Sequence, residues 1–598
     1  MNTLVKMTSR RVPAGNSGWV ARPVALVVGI FVLLAGASSY GHQHTAPWLN
    51  ESKLDQGLYL EVRHPSVIRK PGGFDVSVVM NNLTGGGDVL VREVRYLAPD
   101  PLGAVTHPRE HLLTSKRAAY RRYKETLEQL EHLGQGQDRT GLETIADQNR
   151  SLLMEITADT FADRQSIPAG AIPKAVGSSF NMSVEIDLVQ NGTPRTLTEQ
   201  IEIPVETPLP KGTDGSWFAG DQHLHTAYSI DAFLLSFTFD NVTDYAQTAQ
   251  LMGLDWIIIT DHTNIHFLIW YTPVLFAAGE RQAQAFRDSN GYLVLQGEEM
   301  GLGRFGFFNE AAHLLAYPYT SDSTGFLENP CSGLIFNHVN CEDEQVVIDR
   351  VNDNGGIGFI AHPFDSVPLF FAKWDFDSPA VGWAGLEIFN SDVGVFSRED
   401  QQTVDKWHEL LDQIAPPQNG QLLERLDFPT RFPVGLGNSD AHSVNLIGNT
   451  FTYAKLSPPG PSITRQDVMD AFVNGRVVAT NGPLVFGTIN GAGAGEVAIL
   501  SAIQNQLQVT LQTTPELGPV GDYEITVFVN GLERMVIPPS GSPDFQTTIL
   551  LDDLLAPPDK FVTIRARSAD DARQAIANPI WLEFQDVATG IVSPLREY

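Results

Sequence analysis

Cysteine is almost missing from this 598-residue chain: Cys331 and Cys341 occur alone, with nine residues between them. Two cysteines cannot cross-link a chain of this length, so stability has to come from packing, and any metal site has to use histidine and carboxylate. In an exported chain the pair predicts a local disulfide, with two free thiols as the alternative. Positive charge is also scarce. Lys and Arg number 40 against 70 Asp and Glu, a formal charge of −30, which repels a nucleic-acid backbone and argues against general DNA or RNA binding. The apolar run Pro23 to Leu34 falls short of the roughly 20 residues a membrane-spanning helix needs. Neither a solenoid-type repeat nor a low-complexity tract occurs.

What is present begins with an export pattern. Lys6, Arg10, Arg11 and Arg22 precede the apolar run, and Ala35-Gly36-Ala37 offers a small-residue cleavage site. Residues 1–37 therefore read as a signal peptide of a periplasmic or secreted protein with no stable membrane insertion after cleavage; an uncleaved anchor is the alternative. Hydrophobic residues at 42% allow proper cores, and the length predicts roughly two to four domains.

Short alternating segments such as LYLEV (58–62), FDVSVVM (74–80), VLVREVRYL (89–97) and FNMSVEIDLV (180–189) predict an N-terminal β-sandwich over 45–210. Residues 111–161 interrupt it with helical periodicity broken at Gly134-Gln135-Gly136, which predicts a helical hairpin insert. Lys116, Arg117, Arg121, Arg122 and Lys124 there read either as an anion-binding face or as a solvated helix balanced by Glu125, Glu128 and Glu131. Pro208 to Gly215 reads as a linker. Beyond it, helix-then-strand units recur: Asn241 caps a helix that stops at Gly253 before strand Trp256 to Thr260, with similar units at 345–361 and 465–480. Such units predict a parallel sheet, and over this length a barrel, for 216–490. Alternating strands return from 495 to 598 as a second sandwich.

The chemistry concentrates after the buried strands of the middle region. Gly220 to Asp231 (GDQHLHTAYSID) holds His223 and His225; Trp256–Thr260 is followed by Asp261-His262; Tyr292–Gln296 by Gly297-Glu298-Glu299; Ile357–Ala361 by His362-Pro363; Val434–Gly437 by Asn438-Ser439-Asp440-Ala441-His442. His313 opens the strand-like run His-Leu-Leu-Ala-Tyr. Singly, each has an ordinary structural reading: His362 as a loop histidine, Asp261 as a cap, His313 as a core histidine. Glu298 and Glu299 are alternatives for one role, since strand period two sends them to opposite sides. Jointly, six of the fifteen histidines and several acids point to the face where strand ends converge, and without an ion such a cluster is costly.

These ordered motifs, His223-Leu224-His225-Thr226 with Ser229 and Asp231, Thr260-Asp261-His262, Gly297-Glu298-Glu299, His362-Pro363 and Ser439-Asp440-Ala441-His442, resemble the PHP superfamily, named for polymerase and histidinol phosphatase. The flanking sandwiches and Thr480-Asn481-Gly482-Pro483 look more like its exported branch, a family of unknown function related to carbaryl-hydrolase-like metallohydrolases. The resemblance implies an α/β fold, a distorted (β/α)7 barrel flanked by two β-sandwich domains, with two or three divalent ions (Zn, Mn or Fe). It implies His223, His225, Glu299 and Asp440 around one ion, Glu299 as a bridge with His313 and His362 around a second, and Asp231, His262 and His442 around a third. The family often has histidine at the position of Asp231, where a carboxylate favours a harder ion.

The expected function is an exported metal-dependent hydrolase of a small-molecule phosphoester using a metal-bridging hydroxide, with Asp261, His362 and Asp440 as catalytic residues. Hydrolysis of a carboxylic or carbamate ester on the same centre is the alternative, and a non-catalytic metal-containing binding protein is the alternative of another class. Ser229 and Ser439 are expected to hydrogen-bond ligands. Arg304 and Lys373 are either substrate contacts or surface residues, and Ile265 to Phe276 is either an apolar wall or a buried helix.

Overall fold

Ser179–Gln190 alternates as its sequence requires, whereas Phe74–Asn82 is buried on both faces. In Ser179–Gln190 every second side chain is buried, and these residues meet Phe74, Val76 and Val78 of the facing sheet in one core. The computed structural model describes residues 54–99, 102–132, 151–229, 232–233, 236–262, 273–305, 309–325, 327, 344–364, 374–456, 462–501, 504–541 and 544–585. The signal peptide, Cys331, Cys341, Gly134 to Gly136, Asp231, Lys373 and most of 265–276 lie outside the described residues, and of Arg304 only the backbone is described. Among the described residues no helix is long and apolar enough to cross a membrane.

The protein is a mixed α/β structure, largely strands, with five sheets among the described residues. Two four-stranded sheets make the N-terminal layers. Helix Arg117–His132 and the helical residues 151–157 pack on the outside of one of them, burying Tyr120, Tyr123, Leu152 and Ile156 with Tyr59 and Val79. Arg117, Arg121 and Arg122 of that helix are exposed, and Arg122 pairs with Glu155; Lys116, just before it, is buried and pairs with Asp159.

The central part is built on two sheets. In the first, Leu293–Gln296, Trp256–Ile259 and Trp217–Asp221 run parallel, and Phe451–Lys455 and Val477–Thr480 continue it antiparallel. In the second, the hairpin Glu298–Phe305 and Asn309–Pro318 runs antiparallel into Gly356–Ala361, which is parallel to Trp383–Asn390 and Val434–Asn438. Isolated bridges Leu224–Ala441 and His262–Glu299 connect the ends of the two sheets.

All three helix-then-strand units are present. The first carries a capping box, with Asn241 accepting from Thr243 and Asp244 accepting from the Asn241 amide, and it ends at Gly253 with φ 96. The third differs from the expected parallel arrangement. Val477–Thr480 is antiparallel to both neighbours, because a preceding helix fixes the layer of a strand but not the direction of the strands beside it. One of those neighbours is C-terminal. Gln574–Phe584 pairs with Val477–Thr480, so the first central sheet runs on into the C-terminal strands and reaches ten strands. A three-stranded sheet, Leu484–Ile489, Gln506–Gln512 and Asp544–Leu550, packs against that extension through Leu507, Val509, Ile525 and Ile564.

Candidate metal centre

Parallel strands deliver most of the polar residues to one end. His223 and His225 follow Trp217–Asp221, His262 follows Trp256–Ile259, His362 follows Gly356–Ala361, and Asp440 and His442 follow Val434–Asn438. Glu299 lies near the start of its strand, bridged to His262. His313 arrives by a different route: its strand runs antiparallel, so its early residues lie at this same end, opposite Gly301 on one side and Ala361 on the other. His223, His225, Glu299, His313 and Asp440 are essentially inaccessible. The backbone is held in the left-handed region at Asp440 (φ 54) and at its edge at His362 (φ 23), a conformation costing about 1–3 kcal/mol and typical of functional sites.

Four side chains approach mutually. His223 Nε2 lies 3.0 Å from Glu299 Oε2 and 3.2 Å from Asp440 Oδ1; His225 Nε2 lies 3.1 and 3.0 Å from the same two oxygens. An N–H shared between two acceptors is poorly aligned with at least one of them, and here both imidazoles would have to share the same two oxygens. Ligands of an ion with bonds of about 2.0–2.1 Å stand about 3.3 Å apart at the corners of a tetrahedron, close to what is found. Glu299 turns its other oxygen to a second group: Oε1 is 2.6 Å from His313 Nδ1 and 3.2 Å from His362 Nε2, and these two nitrogens are 3.3 Å apart. Ligand atoms of His262, Glu299 and His313 also lie within 4.8 Å of one another, His262 Nε2 being 3.2 Å from Glu299 Oε2. Two groups of side chains could therefore hold metal, His223, His225, Glu299 and Asp440 in one and His262, Glu299 and His313 in the other, with Glu299 common to both. His442 stacks on His225 at 4.4 Å between ring centroids, with Nδ1 3.8 Å from Asp440 Oδ1.

No protein-family model matches the chain, and no curated protein matches it. Among solved structures, a two-domain protein from Bacteroides vulgatus containing a predicted PHP-like metal-dependent phosphoesterase is similar at 13% identity, covering 63% of this chain and 98% of that one with a TM-score of 0.33. A β-glucuronidase from Parabacteroides merdae is similar at 9% identity, covering 88% and 65%, with a TM-score of 0.19. Superpositions this loose establish neither a shared fold nor a shared activity. The converging side chains are held in place by contacts of their own.

Those contacts extend outward from the ligands. Glu387, buried in strand Trp383–Asn390, accepts from His223 Nδ1 at 2.8 Å, from the His362 amide at 2.8 Å, from Asn390 Nδ2 at 2.7 Å and from Asn438 Nδ2. It thereby holds the Nδ1 proton, so that Nε2 is the nitrogen an ion would bind in exchange for its proton. Ser229 Oγ lies 3.1 Å from His225 Nδ1 and accepts from the His262 amide, whereas Ser439 donates to Asp221, which is not among the expected ligands. Asp261 accepts from the Thr226 amide at 2.6 Å and its hydroxyl at 2.9 Å, which fixes the turn just after His225. Of the two glutamates, Glu298 points away and accepts from the Leu327 amide. Burial opposes charge throughout, yet Asp440, Glu299 and Glu387 hold His223 protonated well above the usual imidazole range, and the imidazoles of His262, His313 and His223 hold Glu299 well below the usual carboxylate range. Burial pushes Asp221 up to about 6 against hydrogen bonds from Ser439 and Gly448. Glu387 and Asp221 were not singled out from sequence; the available signal was an acid inside or closing an otherwise apolar strand, as in WAGLEIFN and WFAGD.

Proposed function

We propose that this protein is a metal-dependent hydrolase of the PHP superfamily, exported to the periplasm or beyond, that cleaves a small-molecule phosphoester. The observation that carries this is the buried Glu299 carboxylate, one oxygen facing His223 and His225 and the other facing His313 and His362. In this reading residues 216–490 form a distorted (β/α)7 barrel, with the sandwiches over 45–210 and 495–598 flanking it, and the bridges Leu224–Ala441 and His262–Glu299 support joining the two central sheets into one. His223, His225, Glu299 and Asp440 would hold one ion, Glu299 with His313 and His362 a second, and His262 and His442 with Asp231 a third. Two or three Zn, Mn or Fe ions would supply a nucleophilic hydroxide near neutral pH and stabilise a leaving oxygen.

The side chains prepare that chemistry. Glu299 and Asp440 gather negative charge where cations are needed, and Glu387 orients His223. Asp261 holds Thr226 so that His225 keeps its direction, and His362 is fixed through its own amide. The test is turnover by the purified full-length protein on phosphomonoesters, phosphodiesters and aryl carbamates, beside His225→Ala and Asp440→Ala. Phosphoester cleavage that stops on chelation and falls at least about 100-fold in both variants is expected. Cleavage of carbamates alone would move the assignment to the other ester class, and activity surviving both substitutions would refute the site.

A further inference from the structure

The segment 236–240 belongs to the central part, following the loop that carries His225 and Ser229, yet it is held by the N-terminal layers. Phe237 adopts a left-handed backbone (φ 51), is fully buried, and sits among Tyr59, Val79, Tyr120, Tyr123, Leu152 and Ile156, all N-terminal. Beside it lies Arg63, an arginine with 0% exposure. Its guanidinium donates to the Phe237 carbonyl at 3.1 Å, to Thr238 Oγ1 at 3.4 Å and to the Ser236 carbonyl, pairs with Asp240 at 3.7 Å, and is anchored by Glu61 at 2.7 Å. Asp240 also accepts from Arg164 at 2.9 Å and from Ser77 at 3.3 Å. A buried guanidinium is costly unless its donors are satisfied, and here they are shared between Glu61 on its own strand and one short segment of another layer.

From that segment two contacts lead to the metal centre. The Asp240 carbonyl accepts from the Ala227 amide at 2.8 Å, closing a loop whose Ser229 touches the His225 ring and the His262 amide. Thr238 Oγ1 donates to the His442 carbonyl. Resting on the metal-centre reading above, we propose that the N-terminal layers are a clamp on that centre: Arg63 and the Phe237 pocket are positioning elements that hold 236–240 and thereby set His225, His262 and His442 for ion binding. Docking of two layers for stability alone requires buried area; it does not require hydrogen bonds continuing to the ligand-bearing backbone.

The experiment uses full-length protein, stripped with chelator and titrated with Zn2+ and with Mn2+ in competition with an indicator, with thermal unfolding recorded in parallel. Thr238→Val keeps the shape and removes the hydroxyl; it should unfold within a few degrees of the parent while binding metal about tenfold or more weakly, and Thr238→Ser should restore affinity. Arg63→Met should weaken binding further. If Arg63→Met does not fold, the Thr238 pair decides alone. Parental affinity in Thr238→Val, or a loss that serine does not repair, overturns the clamp while leaving the centre intact. Absence of metal binding in the parent protein overturns both.

Discussion

Glu387 shows how much one residue decides. Each of its oxygens accepts from two donors, His223 and Asn438 on one and His362 and Asn390 on the other. A glutamine there has one acceptor and two donors, so one pair of partners is left facing N–H groups. Glu387→Gln is expected to cost roughly 1–3 kcal/mol in stability and to lower metal affinity by about 10–100-fold, measured by denaturant titration and metal competition. A variant with unchanged affinity would show that His223 needs no help with its tautomer. The converging imidazoles and acids were legible in the sequence because such residues directly after buried strands are hard to explain otherwise. Glu387 was not, since it is embedded within an apolar run and no turn residue marks it. His313 was legible only as a residue: its place depends on a hairpin that folds it back opposite Gly301, a pairing that spacing alone does not give.

At the scale of elements, close packing and burial set the consequences. Strand Trp217–Asp221 meets Trp256–Ile259 at Gly220, where a Cβ would stand 2.1 Å from the Trp256 ring. Gly220→Ala should therefore lose roughly 3 kcal/mol or more, read from denaturant midpoints, and near-parental stability would mean these strands are free to shift. Helix Arg398–Asp412 packs on the C-terminal strands through His408, whose Nε2 lies 3.0 Å from Thr563 Oγ1. Burial, with a smaller push from Arg565, lowers His408 to about 4. A depressed imidazole contributes stability that is present above its unfolded value near 6.5 and is lost as pH falls through 4. The advantage of the parent over His408→Asn should thus shrink by up to roughly 3 kcal/mol between pH 7.5 and pH 4. Asp400 on the same helix, pushed up to about 7 by burial, has the opposite slope, full below the usual carboxylate value and lost as pH rises through 7; comparing parent with variant cancels it. An advantage independent of pH would contradict a buried neutral His408. Helix Val242–Leu251 was legible from Asn241 and Gly253 because caps are local chemistry, whereas the direction of Val477–Thr480 depends on a strand about a hundred residues away.

For the whole molecule, the continuity of the ten-stranded sheet outweighs the boundaries suggested by composition. Gln574–Phe584 closes onto Val477–Thr480, Asn578 bonds both Gly435 and Val477, and Trp581 is buried against Phe432 of the central part. A chain ending at 490 should fail to fold, and calorimetry of the full chain should show central and C-terminal strands melting together; a soluble, cooperatively melting truncation would contradict this. Sequence patterning located the sandwich-like strands but could not reveal that one sheet is shared, because pairing between distant strands leaves no local periodicity. Elemental analysis of the purified full-length protein after metal supplementation tests whether the converging imidazoles and carboxylates are an ion-binding centre. At least two transition-metal equivalents per chain are expected, falling in His225→Ala and Asp440→Ala; less than half an equivalent in the parent protein would overturn the ion-binding assignment.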